Sequence, residues 1–332
     1  MNVAVCWWPP GPAPGGRTQA IRGNTRGFQA AGHDVDLWYK PEITDGEIPD
    51  DDYDLILTPF LDTMWGDTSA HVHLQLGGYG PPDLDDEAVR NVVDAADTVS
   101  VLDTRLAYHY QDRVGLDPAD ARVIPNPPNV DLFDAQPWGS TSGYAMIPKV
   151  GGPYKSAQRA SDLAAKTPDV TYWTRTDENT GLAGNVLTAA PVPLSAMPAD
   201  YGRAELVVNP AKREGLPNVA FEAMLSERPY VAPRKATAEI QLLPAAALDP
   251  DDFGAPASWW RDHTLDYEPG DHLVPADDAY LPNAVLDLLH DRDRRKDVGR
   301  RGREWVEQTF GTGEDRWDWT SKAEAIVSVT DG

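Results

Sequence analysis

The 332-residue sequence holds a single cysteine, Cys6. No disulfide can form within the chain, so no covalent cross-link supports the fold. Cys6 sits in an apolar run, where a thiol acts as a small buried hydrophobe rather than a nucleophile. Lysine is scarce: 8 residues against 21 arginines, and these 29 basic side chains face 53 acidic ones. The formal net charge of −24 repels a nucleic-acid backbone or an anionic lipid surface, so neither is expected as a partner. No apolar run approaches the ~20 residues of a membrane span. The first residues lack the charged start of a secretion signal, and Pro9 and Pro10 cut the opening apolar run short. A soluble, cytoplasmic protein is expected. No G-x-G-x-x-G is present, which removes the dinucleotide fingerprint. No spacing of His, Cys, Asp or Glu fits a metal site, so no metal and no resident cofactor are expected. Internal repeats and low-complexity tracts are absent.

What is present is aspartate, 39 residues against 14 glutamates, spread along the chain rather than gathered in a tail. This composition reads as a surface adapted to high salt, from a halophilic source. At molar salt the Debye length falls to about 3 Å, so self-repulsion on this scale is tolerable there. Apolar residues make up 41% of the chain, ample for two cores.

The chain alternates strand and helix. Residues 2–8 read as a strand, 9–16 as a loop rich in proline and glycine, 17–31 as a helix and 34–39 as a second strand. That makes a parallel β-α-β unit. Strands are expected at 53–58, 71–76, 98–102 and 122–124, and helices at 85–95 and 104–114. His71 and His73 fall at the beginning of their strand and read as structural. Residues 136–143, with Pro, Ser and Gly, read as a linker. Strands follow at 144–148 and 170–173, with a helix at 156–165 and a short strand from 186. Helices are expected at 281–289 and 294–309. Residues 244–269, with Trp259, Trp260, Asp262 and Asp266, read as an insertion without assigned purpose.

The stretch 204–233 organises the rest. Ala204 to Val208 read as a buried strand ended by Asn209 and Pro210, followed by a polar loop with Lys212, Arg213, Glu214 and Gly215. A helix is expected next, with Pro217 in its first turn, one apolar face at Val219, Ala220, Ala223 and Met224, and Pro229 ending it. Glu214 lies before this helix and Glu222 inside it. The helix start between them offers free N–H groups and partial positive charge, a cradle for phosphate.

Glu214-Gly215-Leu216-Pro217 followed by Glu222-Ala223-Met224 resembles the donor-binding segment of the retaining glycosyltransferases of family four. That family is marked by Glu, seven residues, Glu on the two-domain GT-B fold. Residues 125–133 are similar to the family's I-P-N-G-V-D-x-x-F segment, here with two residues inserted and the glycine lost. Residues 270–274 resemble its G-x-L-V segment, and Phe310 with Trp317 and Trp319 its closing segment. The family's histidine at a strand end is replaced here by Gly77-Gly78.

The resemblance implies an α/β protein of GT-B fold, two Rossmann-like domains with parallel sheets facing each other across a cleft. Residues 1–138 would form the acceptor-side domain and 143–309 the donor-binding domain. Residues 310–332 would form a helix returning to the first. It implies transfer of a sugar, with retention, from a nucleoside-diphosphate sugar to an unidentified glycan, lipid or protein acceptor, without a metal. Glu214 would steady the sugar and Lys155 the diphosphate. Gly215, Leu216, Asn218, Val219 and Glu222 would bind the donor, with Glu222 on the ribose hydroxyls. The family's arginine beside that lysine has no clean counterpart: either Lys149 stands in for it one position out of register, or Gly152 occupies its place. Gly15, Gly16 and Arg17 would line the acceptor and sugar side. Two other readings are an inactive GT-B nucleotide- or sugar-binding protein and a nucleotide-sugar epimerase.

Overall fold

The computed structural model describes residues 1–8, 16–40, 52–61, 68–78, 80, 84–138, 144–148, 157–176, 181–212, 216–233, 254–259, 273–311 and 316–330. The chain divides into two compact units. The first comprises Met1–Pro127, Leu248–Asp266 and Thr312–Gly332, and the second Pro128–Ala247 and Tyr267–Gly311.

The first unit runs β1 (Asn2–Trp7), α1 (Gly16–Ala30), β2 (Asp34–Tyr39), β3 (Leu55–Thr58), β4 (His71–Leu76), α2 (Asp86–Ala95), β5 (Thr98–Val101), α3 (Thr104–Val114) and β6 (Ala121–Val123). Among the described residues, six strands of this unit form one parallel sheet, ordered β2-β1-β3-β4-β5-β6. β3 is buried throughout and β1 is buried after Asn2, as continuous apolar runs in a parallel sheet should be. The edge strand β2 is mostly half-buried or exposed. Ala4, Cys6, Ile56, Phe60, Ala70 and Val72 form one core layer, and burial there pushes the Cys6 thiol up to about 12. Aspartate also caps helices: Asp85 accepts from the Ala88 amide ahead of α2, and Asp103 from the Leu106 amide ahead of α3. Gly115 closes α3 at φ 86°, a left-handed turn that suits glycine.

His73 lies inside this sheet with no exposed surface. Its Nδ1 meets Thr98 Oγ1 at 2.8 Å and its Nε2 meets Ser100 Oγ at 2.7 Å. Burial, then the nearby Lys322 and His71, push it down to about 3, so the ring is neutral. His71 Nε2 shares Thr98 Oγ1 at 2.9 Å. Both histidines thus serve the pairing of β4 with β5.

The second unit runs β7 (Tyr144–Ile147), α4 (Ala157–Lys166), β8 (Thr171–Arg175), β9 (Val186–Ala189), α5 (Met197–Arg203), β10 (Leu206–Val208), α6 (Asn218–Leu225), β11 (Tyr230–Pro233), β12 (Val274–Ala276), α7 (Leu281–His290) and α8 (Arg292–Thr309). The six strands among its described residues are parallel, in the order β12-β11-β10-β7-β8-β9. Numbered within the unit, this is 6-5-4-1-2-3, the doubly wound order whose direction of winding reverses between β7 and β10. Ala145, Ile147, Leu206, Val208 and Val231 of the sheet pack with Leu163 of α4 and Val285 and Leu288 of α7. Helix α5 has no counterpart in the sequence reading. Pro191, Pro193 and Pro198 mask it, yet Pro198 falls in the first helical turn, where a missing N–H is harmless.

The last helix, α9 (Trp319–Thr330), belongs to the first unit. Its Trp319 fills the groove left by Gly23 and Gly27 of α1. A Cβ on Gly23 would stand 2.1 Å from the indole, and one on Gly27 would stand 2.0 Å from the Trp319 carbonyl oxygen. Trp317 Nε1 donates to the Pro125 carbonyl at 3.0 Å, and Lys322 Nζ donates to Asn126 Oδ1 at 2.5 Å. Residues 254–256, inside the stretch read as an insertion, pair with β6. Val123 donates to the Ala255 carbonyl, and Arg122 and Pro256 make an antiparallel bridge.

Candidate functional site

In a doubly wound sheet, ligands settle outside the carboxyl ends of the strands where the winding reverses. Here those strands are β7, ending at Ile147, and β10, ending at Val208. Two features shape the chain just past β10. Buried Asn209 donates to the Tyr230 hydroxyl at 2.9 Å and accepts from the Ala211 amide at 3.1 Å. Arg159, in the first turn of α4, donates to the Pro210 carbonyl at 2.5 Å and pairs with Asp278 at 2.6 Å. The start of α4 and the exit of β10 are therefore tied together.

The helix that follows differs from its sequence reading in three respects. Pro217 is extended (φ −80°, ψ 108°) and stands just before the helix rather than in its first turn. All residues from Ala220 to Leu225 are buried, Glu222 included, so α6 has no single apolar face. It ends at Leu225, before Pro229, because Glu227 turns left-handed at φ 55°.

Helix α8 closes one side of α6. Phe221 stacks on Trp305 with centroids 6.2 Å apart and meets Phe310 edge-on at 5.0 Å. Gly299 lets the two backbones touch, since a Cβ there would fall 2.3 Å from the Glu227 carbonyl oxygen.

Arg228 fastens the end of α6. Fully buried, its guanidinium donates to the carbonyls of Ala204, Gln136, Ser226, Glu227, Pro137 and Gly202 and lies 4.3 Å from the Trp138 ring. Burial lowers it to about 10, still well charged at neutral pH.

On another side of α6, Glu222 meets α5. Its Oε2 accepts a 2.7 Å hydrogen bond from the Tyr201 hydroxyl, and the two residues are 6% and 0% exposed. Burial, reinforced by the Glu222 charge, pushes the Tyr201 phenol well above its usual value and keeps it a donor. Phe133 packs edge-on against the ring at 5.7 Å. The neighbouring Asp200 receives a two-pronged bond from Arg175, at 2.8 and 2.9 Å, which anchors α5 to the end of β8.

Of the residues expected at the site, Leu216 is buried, Asn218 and Val219 are half-buried at the start of α6, and Glu222 is buried within it. Glu214, Gly215, Lys149, Lys155 and Gly15 lie outside the described residues. Gly16 and Arg17 open α1 in the first unit. Tyr201, Arg159, Arg175 and Arg228 carry no local signal in the sequence. Tyr201 and Glu222 are 21 positions apart, and only the fold joins them. Among the described residues no three His, Cys, Asp or Glu side chains gather as metal ligands. No helix among them is long and apolar enough to cross a membrane.

Solved structures resemble this architecture along the whole chain. Sucrose-phosphate synthase from Thermosynechococcus elongatus superposes with a TM-score of 0.72 at 16% identity, over 100% of this chain and 98% of that one. Anabaena HepE, solved in complex with UDP-glucose, does so with a TM-score of 0.72 at 14% identity, over 100% and 99%. The fold is GT-B. A glycosyltransferase from Rickettsia africae ESF-5 is similar at a TM-score of 0.65 and 11% identity, over 99% and 97%. No protein-family model and no curated protein matches the sequence. At these identities the likeness is one of fold.

Proposed function

We propose that this GT-B protein is a glycosyltransferase that moves a hexosyl group from a nucleoside-diphosphate sugar to an acceptor, with retention at the anomeric carbon. One observation carries the reading. The segment with Glu, seven residues and Glu follows β10, a strand bordering the reversal of winding in the second unit. The UDP and UDP-glucose complexes of HepE support a uridine nucleotide as the first donor to try.

In this reading the diphosphate rests on the amino end of α6, where Leu216, Asn218 and Val219 offer N–H groups and Pro217 none. Gly215 allows the backbone to come close. Lys155 faces the leaving phosphate, with Lys149 in support. Positive groups aimed at the departing diphosphate supply most of the stabilisation such a reaction needs. Glu222 accepts hydrogen bonds from the ribose hydroxyls. Glu214 holds sugar hydroxyls and steadies charge near the anomeric carbon. Gly15, Gly16 and Arg17 serve the acceptor side, and no metal takes part.

The decisive variant is Glu214→Gln. It is expected to abolish transfer while leaving the circular dichroism spectrum unchanged, assayed in molar potassium chloride to suit the acidic surface. Unchanged turnover would falsify the assignment.

A further inference from the structure

Resting on that donor reading, we infer that Tyr201 is the positioning residue for Glu222, holding its carboxylate in one orientation to receive the nucleotide ribose. The contact is direct: Tyr201 Oη donates to Glu222 Oε2 at 2.7 Å. Hydrogen bonds to an ionised acceptor are short and roughly twice as strong as neutral ones, so this one fixes the side-chain torsion as well as the charge.

Tyr201 is itself rigid. It has no exposed surface, Phe133 stands against its ring, and Asp200 beside it is clamped by Arg175. Its phenol remains protonated through neutral pH, because burial and the Glu222 charge oppose ionisation. Glu222 in turn is held on a helix whose Phe221 is locked by Trp305 and Phe310. The carboxylate is therefore presented from a fixed backbone by a fixed partner, the arrangement that pre-organised ligand recognition requires.

The test is a double-mutant cycle read by calorimetric titration of UDP, and of GDP in parallel, into wild type, Tyr201→Phe, Glu222→Gln and the double variant. Tyr201→Phe is expected to weaken nucleotide binding roughly tenfold, because a carboxylate no longer held must be ordered when the ribose binds. The double variant should bind no more weakly than Glu222→Gln, because the hydroxyl acts only through that carboxylate. In steady state, Tyr201→Phe should raise the donor KM more than it lowers kcat. It should also move the acid limb of 1/KM to higher pH, since a carboxylate that loses its donor protonates more readily. A merely structural tyrosine would leave that limb in place and add its loss to that of Glu222→Gln.

The outcomes separate cleanly. If Glu222→Gln weakens binding and Tyr201→Phe does not, or if the losses add, the positioning role is wrong and the donor site stands. If Glu222→Gln binds like wild type, or wild type binds neither nucleotide, the donor reading itself fails and takes the inference with it.

Discussion

His73 offers a sharp test of the packing in the first unit. A histidine in the unfolded chain titrates near 6.5, whereas this ring is driven to about 3 by burial, with Lys322 and His71 adding repulsion. Between those values the unfolded chain binds a proton that the folded one refuses. Stability therefore falls as the pH drops through 6.5, and goes on falling until about 3. The limiting slope is about 1.4 kcal/mol per pH unit, so from pH 7 to pH 5 the loss is about 2 kcal/mol from this one group. The control is His73→Gln, whose amide can bond Thr98 and Ser100 but cannot take up the proton. Urea unfolding of both proteins at several pH values, following the transition that the substitution shifts, isolates the effect, because the carboxylates are common to both. Wild type should lose about 2 kcal/mol more than the variant over that interval. A pH-independent difference between them would refute the account. So would a His73 proton resonance that titrates above pH 5, because a ring bonded at both nitrogens inside a sheet has no water to protonate it.

Two substitutions test the close contacts. Gly27→Ala puts a methyl group 2.0 Å from the Trp319 carbonyl oxygen, which is backbone and cannot swing aside. It should lower the unfolding free energy from urea titration by about 2 kcal/mol despite the better helix propensity of alanine, whereas Gly184→Ala, with open space around it, should be silent. Arg228→Lys keeps the charge but has three donors where the guanidinium serves six carbonyls, and should cost the second unit about 2–3 kcal/mol by the same measurement. A near-wild-type midpoint for either variant would show that the helix junction in question yields more than its contacts suggest.

Local pattern determined much of this protein. Apolar runs bounded by Gly, Pro and Asp marked the strands β1, β3, β7 and β10, because a strand buried on both faces is apolar at nearly every position. The opening strand, helix and strand implied a parallel β-α-β unit, and the family resemblance implied two parallel sheets, as found. Glutamates eight positions apart, with Gly, Pro and Ala-Met in register, named the loop where the chemistry is proposed.

What local pattern could not decide was partnership across long separations. Helix α6 was expected to show one apolar face and instead is buried on every side, because α8 closes one flank and α5 another. Helix α5 was hidden behind prolines, and so was Tyr201, the hydrogen-bond partner of Glu222. Residues 254–256, outside any pattern, became an edge beside β6. Arg228 carries no mark in the local pattern, yet six carbonyls from three segments converge on it. The physical reason is common to all of these. Periodicity reports which side of an element avoids water, but a buried polar group is satisfied by whatever partner the fold brings to it, and that partner can lie anywhere along the chain.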